Sequence, residues 1–155
     1  MSPIASDRAI TYLATHHVMT LATTGPEGVW AAAVFYVNDG FTLYFLSAPT
    51  SRHSQNIARN STVSATIQED YINWSEIKGI QLEGEARWIT GSEQLAAIAR
   101  YGSKFPIVGN LAQAPSAIIK AMSKIAWYKV VPKRLYFTDN SLGFGRRDEV
   151  PLSDN

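Results

Sequence analysis

The chain contains no cysteine, which excludes a disulfide framework, a thiolate nucleophile and a zinc site of the cysteine type. Charge is scarce. Asp, Glu, Lys and Arg make up 17% of the residues and nearly cancel, leaving a formal net charge of +1. No general field of one sign is available to hold a nucleic-acid backbone, so any anion has to be caught locally. Histidine is limited to His16, His17 and His53, without the i, i+4 pair of a helical zinc site, and there is no G-x-S-x-G. No apolar run approaches the ~20 residues needed to span a bilayer. The first residues, MSPIASDR, lack a basic segment followed by an apolar one, so no signal peptide is visible. Together these absences predict a soluble, cytoplasmic protein with neither nucleic-acid nor membrane partners.

What is present suits one folded domain. The 155 residues are 46% hydrophobic, enough for a real core, and no repeat or linker interrupts them. We expect a single domain over 1–155, with about 1–9 and 146–155 as loose ends. SPIASDRAITYLATHH reads as a helix with a cap at Ser2, a first-turn Pro3, and Ile10, Leu13 and Ala14 on one face. VMTLATT reads as a strand ended by the turn GPEG. VWAAAVFYV and FTLYFLS flank Asn38-Asp39-Gly40, a hairpin signal. Both runs are apolar almost throughout, so both faces of that hairpin should be covered.

A helix over about 51–59 and a strand TVSATI follow. GIQLEGEARWI alternates cleanly, with Ile80, Leu82, Gly84, Ala86 and Trp88 on one side and Gln81, Glu83, Glu85 and Arg87 on the other. Two helices, SEQLAAIARYGSKFP (capped by Ser92 or Gly91) and PSAIIKAMSKI, precede the strands AWYKVV and KRLYFT, which Pro132 separates. Six or seven strands joined by short turns imply a small, mainly β, antiparallel barrel with peripheral helices rather than an α/β sheet.

Candidate chemistry is thin outside one stretch. His16-His17 falls at a helix-to-strand junction, where histidines favour the helix dipole. Glu83 and Glu85 share a strand face roughly 7 Å apart, which reads as a solvated surface with Arg87 rather than an acid–base pair. The exception is SAPTSRHSQNIARN (47–60). Ser and Thr are good N-caps, but a helix start ordinarily favours acids, and this one carries Arg52 and His53. Backbone N–H groups, the Thr50 and Ser51 hydroxyls and these two side chains would converge on one point, a pattern that suits a phosphate monoester. A cation on a solvated helix is the competing reading.

The order of elements from VWAAAVFYV through NDG, FTLYFLS, TSRHSQNIARN and STVSATI, with KGIQLEGEARWI as a long middle strand and VVPKRLYFTDNSLGFG as a closing one, resembles the FMN-binding split-barrel superfamily that includes pyridoxamine 5′-phosphate oxidase. The likeness covers roughly residues 10 to 140. RHSQ and FTDNSLGFG are similar to a subgroup of small bacterial split-barrel proteins. The resemblance implies a six- to seven-stranded antiparallel split β-barrel and a homodimer with FMN at the subunit interface. Its phosphate clamp corresponds to Ser51, Arg52 and His53, with Ser47 and Thr50 as adjoining hydroxyls. The strand along the flavin ring corresponds to Ala31, Ala32, Ala33 and Val34, and close packing of a tight barrel is the other reason for such small residues. Gln81 and Trp127 correspond to a polar edge contact and an aromatic wall from the partner subunit.

His53 stands where the superfamily commonly has lysine, so the clamp exchanges a permanent charge for a pH-sensitive one; flavin binding is expected to weaken as pH rises past the histidine pKa. No histidine follows His53, which argues against pyridoxamine-phosphate oxidation and against a haem-degrading barrel with a late histidine ligand. The function implied is an FMN-dependent oxidoreductase passing hydride or electrons between a nicotinamide or similar donor and a small-molecule substrate. The alternative is a module that binds and reports FMN, F420 or another phosphorylated ligand without turnover.

Overall fold

The computed structural model describes residues 3–110 and 115–153 of the chain; the cap expected at Ser2 lies outside them. Helix α1 (Pro3–Thr15) leads into β1 (Val18–Gly25), β2 (Gly28–Asp39), β3 (Thr42–Ser47), α2 (Arg52–Arg59), β4 (Thr62–Gln68) and β5 (Lys78–Ile89). Helix α3 (Gly91–Lys104), the short α4 (Pro106–Gly109) and α5 (Ser116–Met122) come next, then β6 (Ala126–Asp139) and β7 (Arg147–Glu149). All strand pairs are antiparallel. The order is β3-β2-β1-β4-β5-β6, and β3 also pairs with β6, so six strands close on themselves while β7 adds to the far half of β6. This is the mainly β barrel that the turn spacing predicts.

The alternation of β5 becomes the barrel wall. Ile80, Leu82 and Ala86 are buried inside with Leu21, Tyr36, Phe45, Val63, Val130 and Leu135. Glu83 and Glu85 lie outside, paired with Arg134 and Lys133, a solvated face as expected. Trp88 keeps its expected side, opposite Tyr128, but not the burial. It sits exposed at the barrel rim, and Ile89 is buried instead, because α3 covers the outside of the barrel there with Val37, Ala97, Tyr101 and Trp127. Helix α3 itself starts at Gly91 after Thr90 and runs past Gly102 to Lys104.

Four further expectations need correction. AWYKVV and KRLYFT form one continuous strand, since the pairing shifts by one residue where Gly84 faces Pro132, and a bulge is where a strand tolerates a residue without an N–H. A Cβ on Gly84 would lie 2.2 Å from the Val131 carbonyl oxygen, so only glycine permits the crossing. The ends are not loose over their described residues: Ala5 and Ala9 on α1 are buried, β7 pairs with β6, and Val150 inserts into the core with its N–H bonded to the Leu135 carbonyl. The buried face of α1 comprises Ala5, Ala9, Tyr12 and Leu13, whereas Ala14 is exposed. Finally, β3 is covered on both faces but β2 is not: Val29 and Phe35 are 75% and 56% exposed, although Phe105 meets the Phe35 ring edge-on at 5.4 Å.

Candidate functional site

Strand β3 ends at Ser47, and the chain turns at once, with the Ser51 N–H bonded to the Ala48 carbonyl at 3.0 Å. Ser51 has extended backbone and caps α2, its hydroxyl accepting from the Ser54 N–H at 3.3 Å. The first turn of α2 therefore aims its free N–H groups towards the place where β3 ends. Two contacts fix that aim. Buried Asn56 donates to the Thr23 hydroxyl at 3.0 Å, and Gly25 lets the helix settle onto β1, since a Cβ there would stand 1.9 Å from Asn56 Oδ1.

Ser47, Ser51, Ser54 and His53 form one connected cluster. Ser47 Oγ lies 2.6 Å from His53 Nε2 and 3.1 Å from Ser51 Oγ; Ser51 Oγ lies 3.3 Å from the same nitrogen and donates to Ser54 Oγ at 2.8 Å. Ser47 shares the inward parity of Leu43 and Phe45, so the cluster rests on the end of the barrel core. Burial pushes the His53 pKa below its ordinary 6.5, because the imidazolium is poorly solvated there. The imidazole is thus neutral at pH 7, and the cluster carries donors and acceptors but no charge of its own.

Arg52 is adjacent but turned aside. Its guanidinium lies 4.4 Å from the centre of the Trp30 ring and donates to the Glu27 carbonyl at 3.3 Å, a cation–π contact on the β1–β2 turn. Thr50 is exposed in the turn before the helix. Of the residues assigned to the clamp, the structure thus brings Ser47, Ser51 and His53 together and turns Arg52, expected to close on the same point, to one side of them. The sequence reading misses Trp30, Ser54 and the Asn56–Thr23 bond. The Ser51/Ser54 spacing is legible as a cap and its third residue, whereas nothing local marks Trp30.

The four residues assigned to the ring divide by parity. Ala31 and Ala33 face outward and are exposed beside Val29 and Phe35, while Ala32 and Val34 face the barrel. The outer side of β2 is a shelf with no side chain larger than methyl over three residues of backbone. Gln81 is not near the cluster within one copy. It lies outside β5 opposite Tyr136, far along β6 from the Ala126 that pairs with Ser47, and accepts from Arg147 at 3.1 Å. Trp127 does not form an exposed wall: it is 4% exposed, pinned between Tyr101 and Ile89 under α3, and so faces away from Ser47.

The other polar concentrations are structural. His16 stacks on Tyr12 and bonds Glu69 at 2.7 Å and the Tyr12 carbonyl at 2.8 Å. Lys104 closes the end of α1, donating to the carbonyls of Leu13 and His16 over the face of Tyr36. Burial holds its pKa down to about 8. Among the described residues no cluster of three or more His, Asp or Glu could hold a metal ion, and no helix is long and apolar enough to cross a membrane.

A family model described as pyridoxamine 5′-phosphate oxidase matches residues 6–139. The chain belongs to this family. A UPF0306 protein of Klebsiella pneumoniae is 30% identical over 138 residues, covering 88% of this chain and 86% of the relative. A UPF0306 protein of Photorhabdus laumondii is 32% identical, covering 88% of each. Among solved structures, a heme binding protein from Mycobacterium smegmatis superposes with a TM-score of 0.74 at 24% identity, over 97% of this chain and 59% of its own. The heme storage protein HutZ from Vibrio cholerae gives 0.68 at 18% identity, over 84% and 92%. At those identities the two likenesses speak for the fold alone.

The pyridoxamine 5′-phosphate oxidase family membership raises the question of whether these residues suit a flavin. Two serine hydroxyls, an imidazole and a helix N-terminus meet at one point with a guanidinium beside them, which is a donor set for a phosphate monoester. The Ala31 and Ala33 shelf suits a flat ring. The residues fit.

Proposed function

We propose that the chain is an FMN-binding oxidoreductase that works as a homodimer. The observation that carries this reading is the Ser47–Ser51–His53 cluster at the mouth of α2 with Arg52 alongside, on a barrel of the family described above. Ser47 and the first N–H groups of α2 hold the phosphate, Ser51 fixes the helix start beside it, Thr50 borders it, and Arg52 supplies the permanent charge. The backbone of Ala31 to Val34 supports the ring. FMN held there would supply two-electron chemistry, the capacity to accept hydride from a nicotinamide or similar donor and to reduce a small substrate.

The exposed outer side of β2, with Val29, Ala31, Ala33 and Phe35, favours a second copy as its cover, because apolar surface of this kind is costly to leave in water. Gln81 stays in the reading only as a contact supplied by that second copy, since within one copy it lies far from the cluster. Trp127 drops out of the reading, since α3 of its own chain encloses it.

Titration of the purified protein with FMN and with riboflavin, followed by absorbance and fluorescence, tests the proposal. Tight FMN binding with much weaker riboflavin binding supports the phosphate clamp, and reduction of the bound flavin by NADH or NADPH with repeated turnover supports the enzyme. Binding without turnover favours a sensing module. Haem is the competing ligand, given what the Mycobacterium smegmatis and Vibrio cholerae proteins are called. A Soret band on haem addition with no flavin binding would replace FMN with it.

A further inference from the structure

We propose that His53 takes up a proton when the phosphate of the ligand enters the cluster, so that the clamp acquires its second positive charge only on binding. This rests on the flavin-phosphate reading above and concerns the regulation of the same site.

The argument starts from where the hydrogens lie. Ser51 Oγ accepts from the Ser54 N–H and donates to Ser54 Oγ, so its proton is committed. Ser47 Oγ lies 2.6 Å from His53 Nε2, and with the imidazole proton on Nδ1 the hydroxyl donates to that nitrogen, which a neutral imidazole offers as an acceptor. Phe45 and the barrel end lie beneath the imidazole, and the neutral form is the one burial favours. The cluster at rest is self-satisfied and uncharged.

A phosphate oxygen arriving at this point needs donors. Ser47 can turn its hydroxyl to the oxygen, but His53 Nε2 then presents a bare lone pair beside an oxyanion. A proton from solvent on Nε2 removes that repulsion and replaces it with a charge-assisted bond. The proton ends on Nε2, no covalent bond of the protein or the ligand breaks, and the Ser47–His53 hydrogen bond is exchanged for bonds to the phosphate.

No other group is placed to do this. Arg52 is the charged neighbour on the same helix, and its guanidinium is engaged over Trp30. From the β1–β2 turn comes Glu27, which meets Arg52 through its carbonyl. From β3 come Ser47 and Phe45, neither of which is charged. Among the described residues no carboxylate lies within 4.0 Å of the His53 ring nitrogens. The site exchanges its own hydrogen bonds for those of an anion, and the imidazole is the only member that can change charge.

Isothermal titration of FMN into the intact protein at about pH 7.5, in buffers of different ionisation enthalpy, measures the protons taken up. A phosphate monoester is already almost fully dianionic there, so the protein must supply the titrating group. The expected result is net uptake approaching one proton per FMN, an affinity that falls by up to about tenfold per pH unit above neutrality, and loss of both in H53Q. H53K should bind with no uptake. Should H53Q fold poorly, NMR of 15N-histidine-labelled wild-type protein reads the same event, as a shift of the His53 ring nitrogens to imidazolium values on FMN addition. FMN binding without proton uptake, or with uptake unchanged in H53Q, overturns the proposal and leaves the flavin site standing. Absence of FMN binding overturns the flavin reading and the proposal with it.

Discussion

Asn56 on α2 and Gly25 at the end of β1 occupy one space: the Asn56 amide fills the position a Gly25 Cβ would take, 1.9 Å from its Oδ1, while its nitrogen holds the Thr23 hydroxyl at 3.0 Å. The contact seats the helix whose first turn carries the candidate site. Asn56→Ala should lower stability by about 1–3 kcal/mol, since it leaves the buried Thr23 hydroxyl without its partner. Gly25→Ala should also destabilise, and adding Asn56→Ala to it should cost less than the sum of the two, because the colliding amide is gone. Urea unfolding of the two single variants and the double variant measures this coupling, and strict additivity would contradict it.

Arg52 and Arg59 lie on the same helix, at its first and last turns. Arg52→Ala should weaken FMN by roughly tenfold or more, the size of one lost charge-assisted bond. Arg59→Ala should leave it nearly unchanged. Equal, small effects in a fluorescence titration would mean that both arginines are simply solvated.

Without ligand, His53 acts on stability in the opposite sense to its role in binding. Its folded pKa is below the ordinary 6.5, so the unfolded chain binds the extra proton in the window beneath 6.5. Stability contributed by neutral His53 is present above that window and is lost as pH falls through it. The apo protein should gain stability from pH 5 to 7, and His53→Gln should flatten that rise, while FMN-induced stabilisation should grow as pH falls. Thermal melts with and without FMN across that range separate the two.

Lys104 provides a second pH dependence at the alkaline end. Its folded pKa of about 8 lies under the ordinary 10.5, so the unfolded chain holds more protons between them, and stability should rise over that interval by no more than ~1.4 kcal/mol per pH unit. Above pH 10 the tyrosines oppose it: burial raises Tyr101 to about 12 and Tyr36 further still, so their contribution is lost as the unfolded chain ionises first. A stability maximum near pH 10 is expected in the wild type. Lys104→Met should remove the rise leading to it.

At Gly84 the barrel wall leaves no room for a side chain. A Cβ 2.2 Å from the Val131 oxygen and 2.8 Å from Pro132 Cα meets backbone on both counts, which cannot swing away. Gly84→Ala should cost at least about 1–3 kcal/mol, the usual penalty for overpacking. Pro132→Ala should be tolerated, since the bulge does not depend on the missing N–H. Equilibrium unfolding of both variants checks the contrast.

Much of this molecule is written locally. The period-two pattern of β5, the Asn38–Gly40 turn and the Ser51 cap each depend on residues close in sequence, whose side-chain direction follows from backbone geometry alone. Ser47, Ser51 and His53 lie within seven residues of one another, 47 to 53, which is why they are legible together. Tertiary structure decided what depends on distant partners. Trp127 and Trp88 differ little as residues, yet α3 buries one and leaves the other at the rim. Pro132 reads as a break until Gly84, some fifty residues earlier, meets it across the bulge. Arg52 turns to Trp30 because the β1–β2 hairpin brings that ring over the helix start, and His53 stays neutral because the barrel core lies beneath it. Side-chain direction is set by neighbours along the chain, whereas burial and charge state are set by what packs across it.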